Sequence, residues 1–164
     1  MTRSELDTLA SDVLDACRKN KLLLATAESC TGGLVAAALT AIAGSSDVIE
    51  RGFVTYSDQA KTDLLGVAPA LIASHGAVSA EVAAAMAAGA LARAPVDIAV
   101  SITGIAGPGG GSAAKPVGLV YFGLALRGHP TKIARRIFTG DRAAIRESAT
   151  KYALDLLLEA ARGP

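Results

Sequence analysis

Tryptophan is absent from this chain of 164 residues, and phenylalanine and tyrosine occur three times each. Cysteine and histidine are scarcer still, at two apiece. The cysteines, Cys17 and Cys30, are too few for a disulfide framework or a thiolate zinc cage. His75 and His129 have no ligand cluster around them, and Glu28, Asp47, Glu50, Asp58 and Asp63 follow no metal-binding spacing. No metal is therefore expected. An excess of one charge is also missing: 16 basic residues face 15 acidic ones, a formal net charge of +1. That balance argues against direct binding to nucleic acid, which needs a concentrated basic surface. No run approaches the ~20 apolar residues of a membrane span. Met1 to Lys19 alternates charged and apolar residues instead of forming a signal-peptide core. A cytoplasmic protein with no membrane partner is the expectation.

What the chain does have is aliphatic mass. Hydrophobic residues make up 51%, mean hydropathy is +0.41, and most of this is Ala, Leu, Val and Ile. Small side chains let helices approach a sheet closely, as layered α/β packing requires. The length suits one domain over residues 1–164, without a linker. The expected fold is a single three-layer α/β/α domain with a mixed central sheet.

Helical spacing of Leu6, Leu9, Ala10, Val13, Leu14 and Cys17 predicts a first helix, capped by Thr2 or Ser4. Leu22 to Thr26 reads as a strand that runs into a Ser/Thr/Gly cluster, after which Leu34 to Ile42 resumes a helical period. A cluster at the carboxyl end of a strand is where open α/β sheets commonly bind ligands. Val48 to Tyr56 reads as a strand, with Gly52 marking a bulge or a close backbone contact. Helices follow over Asp58–Leu65, Pro69–His75 and Ser79–Arg93, the last nearly all alanine. Asp97 to Thr103 is a strand that enters a glycine loop, Gly104 to Gly111. Val117–Leu126 and Thr131–Phe138 read as two strands in a hairpin-like pair, and Asp141 caps the final helix.

Several of these segments resemble one family. Thr26-Ala27-Glu28-Ser29-Cys30-Thr31-Gly32-Gly33 is similar to a signature block of the CinA C-terminal domain family. So are Gly44-Ser45-Ser46 with Arg51-Gly52-Phe53-Val54-Thr55-Tyr56-Ser57, and Ser101-Ile102-Thr103-Gly104-Ile105-Ala106-Gly107-Pro108-Gly109-Gly110. His75-Gly76-Ala77-Val78-Ser79 and Lys115-Pro116-Val117-Gly118 are further matching blocks. The resemblance covers roughly Leu6 to Leu158. It implies an amidohydrolase that converts nicotinamide mononucleotide to nicotinate mononucleotide and ammonia in pyridine nucleotide salvage, with no cofactor. It also leaves a different reading, a non-catalytic nucleotide-binding or competence-related accessory module.

Amide hydrolysis needs a nucleophile, a base that later protonates the leaving ammonia, and donors for the oxyanion. With histidine so scarce, and both copies at helix ends or turns, a Ser-His-Asp triad is disfavoured. The base left is a lysine. Lys61 follows Tyr56 by five residues and Ser46 by fifteen, and Arg51 offers a charge to lower its pKa. The resemblance implies Ser46, Tyr56 and Lys61 as the catalytic set. Ser29 and Cys30 compete for the nucleophile's role, both standing where a helix N-terminus can depress a pKa. Ser29, Thr31 and Gly32 are expected to bind the substrate's polar groups. Thr103, Gly104 and Gly107 would add contacts from the glycine loop. An arginine fork suits phosphate oxygens, which assigns Arg142 to the 5′-phosphate. A homo-oligomer, dimer or higher, is expected from the alanine-rich helix.

Overall fold

A computed structural model describes residues 1–163. Thr2 opens α1 (Arg3–Lys19) with a reciprocal capping box to Glu5. Two orphan N–H groups are thereby satisfied at the chain's first turn. The order continues β1 (Leu24–Glu28), α2 (Leu34–Thr40), a 3-10 turn at Ser45–Asp47, β2 (Ile49–Val54), α3 (Asp58–Leu65), α4 (Pro69–His75) and α5 (Ala80–Arg93). Then come β3 (Ile98–Gly104), β4 (Leu119–Leu126), β5 (Lys132–Ile137) and α6 (Arg142–Ala161).

The five strands form one sheet in the order β2-β1-β3-β4-β5. β2, β1 and β3 are parallel, while β4 and β5 run antiparallel to their neighbours. The mixed sheet and its α/β/α layering are as expected. Alternation along the strands separates two unlike cores. Leu24, Ile98, Val100, Ile102, Val120 and Phe122 meet α1, α2 and α6 in a large aliphatic cluster. The opposite face presents Ala27 and Ala99 to Val82 and Met86 of α5 and to Leu65 of α3.

Small residues on that second face explain the alanine-rich helix. Ser101 Oγ donates to the carbonyl of Ala83 at 2.6 Å and accepts from the Gly123 N–H at 3.0 Å, so the helix backbone bonds directly to the sheet. A bulkier sheet face would hold α5 away. At Gly52 on β2, an added Cβ would lie 2.8 Å from Thr26 Oγ1. The glycine therefore permits the close contact between β2 and β1 that the sequence suggests.

Parallel strands deliver their carboxyl ends to one edge. Glu28 of β1 pairs with Val54 of β2 and Ile102 of β3, so the segments after these three strands converge above that edge. Among the described residues no helix is long and apolar enough to cross a membrane.

Candidate functional site

The turn after β1 is built around a buried carboxylate. Glu28 is fully buried, a cost that is offset only if its oxygens find donors. They do: Glu28 accepts from Thr31 Oγ1 at 2.6 Å and from the Val35 and Ala36 N–H groups at 2.9 and 3.1 Å. The two amides belong to the first turn of α2, whose own cap, Gly33, has no side chain to bond with. Gly32 and Gly33 take positive φ values of 58° and 105°, which turn the chain from strand to helix. These constraints fix Ser29 at the strand end.

Lys61 enters the same space from α3. It is only 1% exposed, and its Nζ bonds to Ser29 Oγ at 3.1 Å, Thr55 O at 2.9 Å and Tyr56 O at 3.3 Å. Burial holds the ammonium below its ordinary pKa, against smaller opposing pulls from Asp58 and Cys30. The two carbonyls can take two N–H bonds of a neutral amine, which leaves its lone pair for the Ser29 hydroxyl proton. A hydroxyl and an amine with the chemistry of a nucleophile and a base thus stand in contact.

The buried lysine has a measurable consequence for stability. Below its folded-state pKa, Lys61 is charged in both states and its burial costs stability. Above the ordinary value of 10.5, both states are neutral and that cost is gone. Between those limits the unfolded chain holds more protons, so stability rises with pH. Denaturant titrations should therefore show wild type gaining on Lys61→Met as pH climbs from neutral towards 10.5. A flat or falling difference would contradict a desolvated lysine.

Ser29, Cys30, Tyr56, Lys61, Thr103, Gly104, Gly107 and Arg142 line one cleft of about 270 Å³, with Asp58 beside them. Tyr56 is 60% exposed, and its hydroxyl accepts from Arg142 at 2.9 Å. The same guanidinium donates to the Gly107 carbonyl at 2.8 Å, which ties α6 to the glycine loop. Thr103 donates its hydroxyl proton to Ala77 O at 2.8 Å. A second hollow adjoins the first through Ala106 and Arg142, with Arg146 and the start of α6 on its wall. An apolar cavity between β4, β5 and α6, lined by residues such as Phe122, Ile133 and Leu156, contains no Ser, Thr or Cys nucleophile.

Not every residue singled out in the sequence reaches the cleft. Ser46 is exposed in the 3-10 turn before β2, whereas Lys61 lies beyond that strand's other end. Six strand residues separate the two ends, roughly 17 Å or more. The structure does not bring Ser46 to Lys61, and the serine against Lys61 is Ser29. Arg51 also lies elsewhere: it pairs with Glu50 and donates to Arg93 O, so burial rather than Arg51 lowers the lysine. Thr31 is fully buried with its hydroxyl committed to Glu28, and Gly32 packs near Arg146, so neither lines the cleft. Cys30 does line it, but burial pushes its thiol up to about 11, which leaves it protonated at neutral pH. Glu28 is the positioning residue that sequence reasoning passed over. Its place inside a signature block, followed by a Ser/Thr/Gly turn, was the available signal.

Among the described residues no group of three His, Cys, Asp or Glu side chains could hold a metal ion. The family model for the CinA C-terminal domain matches residues 6–161. Nicotinamide-nucleotide amidohydrolase PncC of Escherichia coli strain K12 is 52% identical over 157 residues, which is 96% of this chain and 95% of that protein. A CinA-like protein of Mycolicibacterium gilvum is 52% identical over 160 residues, 98% of this chain but 38% of that longer protein. The crystal structure of competence/damage inducible protein CihA from Agrobacterium tumefaciens superposes with a TM-score of 0.92 at 46% identity, covering 96% of both chains. With the fold, the signature blocks and near-complete coverage in agreement, this chain belongs to the CinA C-terminal domain family.

Proposed function

We propose that this protein hydrolyses the carboxamide of nicotinamide mononucleotide through a Ser29–Lys61 dyad, as a step in pyridine nucleotide salvage. The enzyme class is the firmer part: relatives about half identical over nearly their full length are amidohydrolases, and so is this chain. The observation that carries the mechanism is the 3.1 Å contact between Lys61 Nζ and Ser29 Oγ in a buried corner of the cleft.

Neutral Lys61 accepts the Ser29 proton as Oγ attacks the carboxamide carbon. The Cys30 backbone N–H, the amide that follows the nucleophile, donates to no backbone carbonyl among the described residues and is suited to the developing oxyanion. Lys61 then returns the proton to the leaving nitrogen, the C–N bond breaks, and ammonia departs from an acyl-Ser29 ester. Water then attacks the ester as Lys61 takes its proton. The bond from the acyl carbon to Ser29 Oγ breaks, and Lys61 passes the proton to Oγ, which releases nicotinate mononucleotide and restores the serine. Tyr56 lends its carbonyl to Lys61 and its hydroxyl to Arg142, which links the dyad to the phosphate end.

The adjoining hollow supports a binding site for the 5′-phosphate in this reading. Arg142 reaches both spaces, and the N-terminus of the 20-residue α6 favours an anion there. Arg142→Ala is expected to raise KM for the mononucleotide about tenfold or more, with a smaller change in kcat. An unchanged KM would remove Arg142 from phosphate recognition. Ammonia release from nicotinamide mononucleotide, with and without chelator, tests the reaction itself. Turnover that survives chelation supports the dyad, whereas binding without turnover would favour a non-catalytic nucleotide-binding module.

A further inference from the structure

Asp58 supplies the only carboxylate among the described residues that line the cleft. It occupies the first position of α3, one helical turn before Lys61. The capping duty there is performed by Ser57, whose hydroxyl accepts from the Ala60 N–H at 3.0 Å. Among the described residues the Asp58 side chain forms no ion pair, although Asp15, Asp47 and Asp155 all do. It also makes no side-chain hydrogen bond, unlike Asp63, which accepts from Gln59 on the same helix. An unengaged carboxylate at the mouth of a reaction cleft thus lacks a structural role beyond its weak attraction to the helix dipole.

Amide hydrolysis changes the charge of the group held beside the dyad. The carboxamide is neutral, whereas the acid ionises, and its proton can pass to Lys61 to form an ammonium–carboxylate pair. Such a pair would retain the product. We propose that Asp58 is a specificity-determining residue that disfavours the anionic acid relative to the neutral amide and so promotes product release. This inference rests on the deamidase reading above. The remaining groups facing Lys61 are Cys30 on the turn after β1, Tyr56 after β2, and Arg142 of α6, which reaches the Tyr56 hydroxyl. Burial keeps the Cys30 thiol protonated, and none of these groups is a carboxylate. Asp58 also attracts the Lys61 ammonium and so opposes the effect of burial.

Asp58→Asn preserves shape and removes the charge. Nicotinamide and nicotinate mononucleotides share pyridinium, ribose and phosphate, so their affinity ratio isolates the amide–acid difference. Calorimetric titration in a Ser29→Ala background should show Asp58→Asn binding nicotinate mononucleotide about fivefold more tightly, with less than a twofold change for the amide. High salt should narrow the gap, because Asp58 is exposed. With Ser29 intact, the acidic limb of the pH–rate profile should move down by roughly half a pH unit, a shift that a purely structural residue would not produce. Equal changes for both ligands, or an unmoved ratio and limb, would overturn the proposal. If Lys61→Ala retained wild-type turnover, the deamidase mechanism would fail, and this inference with it. If that variant is inactive and the Asp58→Asn ratio is unmoved, only the role given to Asp58 fails.

Discussion

Ser29→Ala should lower kcat/KM for nicotinamide mononucleotide by about ten-thousand-fold, and Lys61→Ala by about a thousand-fold. Ser46→Ala should stay within about twofold of wild type. These expectations follow from placement. Ser29 and Lys61 are in hydrogen-bond contact at the carboxyl edge of the sheet, while Ser46 is exposed beyond the opposite end of β2. The double variant should be no worse than about the Ser29 variant alone, since a nucleophile without its base and a base without its nucleophile are similarly idle. Ammonia release under saturating and limiting substrate would measure all four proteins. Wild-type turnover in Ser29→Ala, or collapse in Ser46→Ala, would reverse the assignment. Lys61→Arg is a useful companion, because a guanidinium keeps the charge but cannot serve as the base.

A large structural effect is expected at Gly123. A Cβ there would lie 2.4 Å from the Ala83 carbonyl oxygen and 2.6 Å from Ser101 Oγ. Neither neighbour can easily give way, since Ser101 bonds Ala83 O while accepting from Gly123 itself. Gly123→Ala must therefore push α5 off the sheet or break the bond that joins them. A destabilisation of about 3 kcal/mol is expected, equivalent to a fall in Tm of roughly 6–12 °C for a domain of this size. Thermal unfolding followed by circular dichroism would measure it. A change below 1 °C would mean that α5 is not seated on the sheet at this distance. Gly128→Ala is the matched control. Gly128 takes a positive φ, which Gly123 does not, but a Cβ there meets nothing within 4 Å, so only that conformational cost should appear.

Helix boundaries were legible where punctuation residues mark them. α3 and α4 run over the expected residues, because Ser57 caps the first and Gly66 ends it, while Pro69 opens the second and Gly76 ends it. Ser79 does the same for α5. The first strand was less legible: an apolar run suggests Leu22 to Thr26, yet β1 spans Leu24–Glu28. Glu28 looks like a strand terminator by composition. It enters the strand because Thr31 and the first amides of α2 satisfy its carboxylate, a tertiary arrangement that no local pattern reveals.

The candidate site shows the same division. Lys61, Tyr56, Thr103, Gly104, Gly107 and Arg142 were recognised from the sequence and share one cleft. The serine against Lys61 was not, since the resemblance pointed to Ser46, fifteen residues away, and left Ser29, thirty-two away, as a competitor. Strand order decides the matter. β1 and β2 are parallel neighbours, so a residue just past β1 meets a helix just past β2, and a residue before β2 is carried to the far edge. Sequence distance measures the loop between residues, not the sheet that folds them together.

The covalent intermediate is the most direct test of the Ser29–Lys61 assignment. Wild-type enzyme would be mixed with nicotinamide mononucleotide, quenched in acid during the first turnovers, digested, and analysed by mass spectrometry for the acyl group. The adduct should appear on the peptide that contains Ser29, vanish in Ser29→Ala, and form normally in Ser46→Ala. An adduct on Ser46 or Cys30, or steady turnover by Ser29→Ala, would contradict the mechanism.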